Sequence, residues 1–261
     1  MHAPADRKYT VERIHHLRVW TPKLFSFRIT RPAAFRFTAG QFARLGLAGA
    51  DGRPVWRAYS MVSAPYDEFI EFFSIVVPEG EFTPRLAQLA VGDAVFLDKT
   101  VYGFLTTDRF ADGRDLWMLA TGTGVAPFLS ILQDPSTWAR FDHVVLAYSA
   151  RTADELAYRD WIAALPGHPL VGEAVTPDRF RFVPAVTRES LPGCLPVRLT
   201  DAITDGSLER FAGRTLTPEY SRIMVCGNPQ MVEDSRRLLA ARGYRLSRRA
   251  APAQLAFENY W

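Results

Sequence analysis

The stretch 116–132, LWMLATGTGVAPFLSIL, carries no charged residue, and its grammar sets the fold of everything that follows it. Residues 116–121 form a short apolar run of the length of a buried strand. Gly122 and Gly124 interrupt it, and 126–132 continues as a helix behind them. Strand, glycine turn and helix in that order open a βαβ unit. The run is no membrane span, because Gly122, Gly124 and Pro127 break it and it falls short of the ~20 apolar residues a bilayer requires. Downstream the alternation continues, with strands at 144–148, 180–187 and 223–226 and helices at 154–165 and 230–242. This pattern predicts a C-terminal α/β domain around a parallel sheet.

Upstream the pattern is different. Short strand-like segments at 24–30, 42–47, 56–62, 69–77 and 94–98 are separated by turn signals, and Phe25-Ser26-Phe27-Arg28-Ile29-Thr30 alternates with the period of a half-buried strand. One helix is predicted over 84–89, with Thr83 as N-cap and proline at its first position. The expectation is an N-terminal antiparallel β-barrel followed by the α/β domain, with a seam between Gly103 and Gly113 placed at 106/107.

Composition narrows the chemistry. At 261 residues and 48% hydrophobic, the chain can bury a substantial core in two domains of ordinary size. Cys194 and Cys226 are the only cysteines, which excludes a disulfide scaffold, and no Cys-x-x-Cys pair or histidine cluster offers an iron–sulfur or zinc site. Redox or Lewis-acid chemistry would therefore need an organic cofactor. Of the 31 basic residues only Lys8, Lys23 and Lys99 are lysines. Arginine suits bidentate phosphate or carboxylate recognition, although base composition explains such a bias equally well. A net charge of +3 without a basic stripe disfavours nucleic acid as a partner. The N-terminus shows no apolar segment of a secretory signal, so the protein is expected in the cytosol.

Five constellations could carry chemistry. In Thr121-Gly122-Thr123-Gly124-Val125-Ala126-Pro127-Phe128, glycines let backbone approach a phosphate at a helix N-terminus; a plain tight turn is the alternative, since Phe128 replaces the third glycine of G-x-G-x-x-G. In Arg57-Ala58-Tyr59-Ser60, period two puts Arg57 and Tyr59 on one face and Ser60 on the other. That set suits a phosphate and a planar ring, or else an exposed arginine and a packed tyrosine. The run Gly80-Glu81-Phe82-Thr83-Pro84-Arg85 offers backbone donors to a second phosphate, or simple helix capping. Cys226-Gly227-Asn228-Pro229-Gln230-Met231 leads from a strand end into a helix, where open α/β sheets bind ligands. A buried thiol acting as a small hydrophobe is the alternative there. Finally, Phe257-Glu258-Asn259-Tyr260-Trp261 ends the sequence on aromatics, as if docked on a flat apolar surface.

In this order the motifs R-x-Y-S, G-x-x-[ST]-x-x-L, T-G-T-G-x-A-P, C-G-N-P-x-M and E-x-Y-W make the whole chain resemble the plant-type ferredoxin–NADP reductase family, most of all its bacterial flavodoxin/ferredoxin reductase branch. The resemblance implies FAD in the barrel (1–106) and NADP(H) in the α/β domain (107–261). It also implies hydride exchange with NADP(H), and single-electron exchange with a small acidic ferredoxin or flavodoxin by a monomer. It assigns Arg57 to the FAD pyrophosphate, Tyr59 to the flavin ring and Ser60 to the neighbourhood of its N5, with Ala58 between them. Phe73, Ser74, Ile75 and Val76, then Glu81, Phe82 and Thr83, fall on its other flavin-contacting segments. Thr121 is assigned to FAD as well, while Gly122, Thr123 and Gly124 line the nicotinamide and pyrophosphate path with Cys226, Gly227 and Asn228. The catalytic group falls on Ser60, Cys226, Glu258 and Tyr260, with Tyr260 against the flavin and Trp261 over the adenine. Arg151, Arg188 and Arg198 align with arginines that clamp the 2′-phosphate. Physically, a 2′-phosphate calls for cations where an NAD site places Asp or Glu at the end of the second strand.

Other readings stay open beside it: a reductase serving an oxygenase or haem protein, a non-enzymatic redox-sensing subunit, and an α/β binding protein without flavin.

Overall fold

The computed structural model describes residues 8–49 and 52–259. Six antiparallel strands form the N-terminal half: β1 (Tyr9–Val19), β2 (Leu24–Thr30), β3 (Phe42–Ala48), β4 (Pro54–Ser60), β5 (Phe69–Ile75) and β6 (Ala94–Tyr102). Their order is β4-β3-β6-β1-β2-β5. Met61, one residue past β4, bridges Phe72 of β5, so the two edges meet and the sheet closes as a barrel. Alternate residues fill its interior, with Phe27, Ile29, Leu45, Ile70, Phe72 and Leu97 fully buried.

Sequence reading misses β1. Only Glu12 and Ile14 are buried, one of them charged, while Val11 and Val19 face outward beside Arg13, His15, His16 and Arg18, so the alternation of apolar residues is lost. The short helix α1 (Thr83–Leu86) corrects a second expectation. Thr83 is its first residue and not its N-cap; the preceding Phe82 makes no side-chain cap, and the Thr83 hydroxyl instead accepts from the Val77 amide at 2.8 Å. The helix also stops short of residue 89.

The C-terminal half is a five-stranded parallel sheet, β7 (Asp115–Thr121), β8 (His143–Ala150), β9 (Phe180–Val186), β10 (Ser221–Gly227) and β11 (Leu255–Asn259), in the order β11-β10-β7-β8-β9. The chain starts in the middle, builds outward through β8 and β9, then returns to the other side of β7. The carboxyl ends of β7 and β10 therefore lie side by side at the point where the winding direction changes, the place where such sheets bind ligands. One face of the sheet is covered by α2 (Ala126–Gln133) and α3 (Pro135–Arg140), the other by α5 (Leu199–Thr204), α6 (Ser207–Ala212) and α7 (Pro229–Ala241).

The helix predicted over 154–165 is not continuous. A 3-10 turn at Ala153–Glu155 and the short α4 (Arg159–Ala163) are separated by Tyr158 in the left-handed conformation, φ 63°. For a non-glycine residue this costs roughly 1–3 kcal/mol.

Helix α2 joins the two halves. All eight of its residues are buried, because one face packs on the parallel sheet and the other on the barrel. Ser130 Oγ donates to the Ser63 carbonyl at 2.8 Å and Gln133 Nε2 to the Val62 carbonyl at 2.8 Å, so the polar groups on the barrel-facing side are satisfied across the seam.

Candidate active site

Two cavities open at this seam. The first, about 520 Å³, lies on the barrel and is lined by Arg57, Ala58, Tyr59 and Ser60 of β4, Phe73, Ser74 and Ile75 of β5, and Glu81, Phe82 and Thr83 at the start of α1. Consecutive Tyr59 and Ser60 both border it, although period two alone would separate them. Tyr59 is almost wholly buried; its hydroxyl lies 3.0 Å from Ser74 Oγ and burial pushes the phenol up to about 12. Val76 is not on the cavity wall, and its amide donates to the Lys23 carbonyl.

The second cavity, about 610 Å³, lies over the carboxyl ends of β7, β8 and β10. Thr121, Gly122 and Thr123 border it on one side and Gly227 and Asn228 on the other; Arg151, Arg188 and Arg198 close the far end. Thr121 thus opens onto this cavity and not onto the barrel one. Gly122 has φ +54°, and open space stands where its Cβ would be, so bare backbone faces the cavity. Gly124 is buried beneath, where a Cβ would collide with the Cys226 carbonyl. Asn228 caps α7, its Oδ1 accepting from the Gln230 amide at 2.9 Å and from Met231 at 3.3 Å.

The arginines differ in their freedom. Arg151 Nη2 is paired with Glu155 Oε1 at 3.0 Å, and its Nε donates to Glu155 Oε2 at 3.1 Å. Glu155 therefore does more than sit at a helix start; it borders the cavity and occupies one of the three cations. Among the described residues no carboxylate pairs with Arg188 or Arg198.

Ile75 and Thr123 border both cavities, so the two spaces meet. Beside this junction Ser60 Oγ donates to Glu258 Oε1 at 3.2 Å, a contact between β4 and β11 across 198 residues of sequence. Burial raises the Glu258 carboxyl from 4.5 to about 7, against the opposing hydrogen bond from Ser60. Cys226 pairs with Glu258 in the β10–β11 register but is fully buried and opens onto neither cavity. Burial, and then the Glu258 charge, push its thiol well above the ordinary range, so it is no nucleophile at neutral pH. Tyr260 and Trp261 lie outside the described residues.

Sequence reading misses several lining residues. Phe42 borders the barrel cavity, and Leu24, Thr200 and Asp234 the other. A signal for Phe42 exists in Tyr102-Gly103: Gly103 has φ +96°, and a Cβ there would sit 2.8 Å from Phe42 Cδ1 and 3.3 Å from Glu258 Oε2. Nothing local marks the others.

Each cavity coincides with a family match. Residues 15–101 match the oxidoreductase FAD-binding domain and residues 118–237 the oxidoreductase NAD-binding domain. The chain is 41% identical over 258 residues to ferredoxin–NADP reductase A of Sorangium cellulosum, covering 98% of this chain and 90% of that protein. It is 38% identical to the flavodoxin/ferredoxin–NADP reductase of Rhodobacter capsulatus, over 98% and 95% of the two chains. The chain belongs to the ferredoxin–NADP reductase family. A crystal structure of a family member, a ferredoxin NADP+ reductase from Neisseria gonorrhoeae with bound FAD and NADP, superposes with a TM-score of 0.90 at 42% identity, over 97% of this chain and 99% of that one. The barrel followed by a parallel α/β sheet, expected from periodicity, is the fold of this ferredoxin–NADP reductase family member.

Proposed function

We infer that this chain is a ferredoxin(flavodoxin)–NADP+ reductase that carries FAD in the barrel cavity and NADP(H) in the α/β cavity, with the boundary between its two domains at 106/107. The observation that carries the reading is the junction of the two cavities at Ile75 and Thr123, with the Ser60–Glu258 pair beside it. The pockets fit their groups. The barrel cavity offers an apolar wall with Tyr59, Phe73 and Phe82 for a ring system, and the guanidinium of Arg57 at its edge. The α/β cavity offers the open backbone of Gly122 for a pyrophosphate, and the guanidinium groups of Arg188 and Arg198, which pair with no carboxylate among the described residues, for a 2′-phosphate.

FAD, when bound, supplies the conversion of a hydride pair into single electrons. The chain's own groups do the rest. Tyr59, Ser74, Glu81 and Thr83 hold the ring and phosphates in place with Arg57, while Phe73 and Ile75 wall the junction and exclude water. Glu258 holds a proton near neutral pH because it is desolvated, and it borders the barrel cavity beside Ser60, which donates to it. Cys226, fully buried beneath the Gly124 turn, supports the nicotinamide path from below. Thr121 orders the strand end by accepting the Asn228 amide at 2.9 Å. Among the described residues no helix is long and apolar enough to cross a membrane; the cytoplasm is the proposed location and a monomer the proposed state.

The partner is an acidic ferredoxin or flavodoxin drawn to a chain of net charge +3. The test is NADPH-driven reduction of such a carrier at increasing ionic strength. The rate is expected to fall several-fold between low salt and about 0.5 M, as screening shortens the Debye length. Carrier reduction that is absent, or indifferent to salt, contradicts the proposed partner or its electrostatic docking.

A further inference from the structure

Tyr158 is the one non-glycine residue with positive φ among the described residues, and its surroundings show what the unfavourable backbone achieves. It belongs to the α/β half, yet its side chain sits in the barrel's outer wall. Its ring lies 4.7 Å from that of Trp20 and 5.3 Å, edge-on, from that of Phe73. Its hydroxyl donates to Glu71 Oε1 at 2.7 Å, while Arg28 Nε holds Glu71 Oε2 at 2.7 Å. Trp20 is fixed in turn, with its indole N–H donating to Ser26 Oγ at 3.2 Å and the Arg18 guanidinium 3.6 Å from its ring centre. A continuous helix over 154–165 would turn this ring away. The left-handed residue breaks the helix at the point that sends the ring across the seam, and strain of this kind points to function when it is over-determined by its surroundings.

We propose that Tyr158 is a positioning residue for the reaction inferred above: hydrogen-bonded to Glu71 and wedged between Trp20 and Phe73, it clamps the α/β domain onto β5 and fixes the wall on which the two cavities meet. Phe73 borders the barrel cavity, and Ile75, two residues along on the same face of β5, borders both. Glu71 and Phe73 are thus the outer end of the strand whose inner end separates the two ligands. Burial keeps the phenol well above its ordinary range, so it remains a hydrogen-bond donor throughout the neutral region. Because transfer between two bound groups is steep in distance, an error of about 1 Å in the relation of the domains costs roughly a hundredfold in rate. The inference rests on the reductase reading for its kinetic consequence but not for the clamp itself.

The test compares wild type with Tyr158→Phe, Glu71→Gln and a barrel-core control, Ile29→Val, each with FAD bound and after FAD removal. In the flavin-free protein, Tyr158→Phe and Glu71→Gln are expected to raise amide hydrogen exchange together in 20–26, 71–75 and 156–163, by about tenfold or more, while β3 stays protected. In the FAD-loaded protein, both are expected to slow anaerobic reduction by saturating NADPH by about tenfold or more with the apparent KM within about twofold, the split of a positioning defect. Ile29→Val is expected to lower stability while leaving both measurements at wild-type values. Wild-type exchange at the seam in Tyr158→Phe overturns the clamp, and an open seam with an unchanged reduction rate overturns the positioning role. If wild type itself is not reduced by NADPH, the reductase reading fails, and the exchange measurement still decides the clamp.

Discussion

A single carboxyl group concentrates the chemistry at the residue scale. Glu258 lies on the last strand, desolvated, and protonated up to about pH 7. The unfolded chain would ionise this group near 4.5, so between those values the folded state binds more protons. Its contribution to stability is therefore fully present below pH 4.5 and is lost as pH rises through about 7. Thermal melts of the flavin-free protein should show wild type losing stability relative to Glu258→Gln between pH 5 and 8; a difference that stays flat with pH contradicts the raised value. Glu258→Gln should also slow turnover by about tenfold or more while FAD remains bound, as loss of a positioned acid does. The arginines give the second prediction. Replacing Arg188 or Arg198 by Ala should raise KM for NADPH by about tenfold, or ~1.4 kcal/mol, and leave kinetics with NADH unchanged. Glu155→Gln should lower KM for NADPH by freeing Arg151, and an increase would show that the Glu155 pair orients Arg151 productively.

At the scale of elements, the legibility of the sequence follows from how each segment is buried. Strand β7 and helix α2 were readable because both are buried all round and their apolar runs are bounded by Gly122 and Gly124. Strand β1 was not, since a charged residue, Glu12, faces inward while Val11 and Val19 face outward. Nor was β11, a five-residue edge strand whose Phe257 is only partly buried. The break at Tyr158 has no local signature at all. The hydroxyl of the residue at the break meets a partner, Glu71, that lies 87 residues away. The same distinction holds for the site: Arg57, Tyr59, Ser60 and the glycines could be named from motifs, whereas the pairing of Arg151 with Glu155 and the separation of Cys226 from both cavities depend on packing. Gly124 supplies a prediction at this scale. It lets the turn after β7 lie directly on the end of β10, so Gly124→Ala should destabilise by about 1–3 kcal/mol through overpacking and weaken NADP(H) binding. A denaturation midpoint equal to wild type would refute that close approach.

The whole molecule is two ligand frames joined edge to edge. A closed barrel and a parallel sheet each provide a cavity, helix α2 fastens them through Ser130 and Gln133, and Ile75 and Thr123 make the cavities continuous. Neither half could pass electrons alone, because the donor would lie in one and the acceptor in the other. This joint architecture is the central claim, and the visible absorption of the purified protein under anaerobic conditions, titrated with NADPH and separately with NADH, tests it most directly. The account predicts flavin bands that bleach rapidly and stoichiometrically with NADPH and sluggishly with NADH. A colourless protein that cannot be reconstituted with FAD, or a flavin indifferent to NADPH, would contradict it.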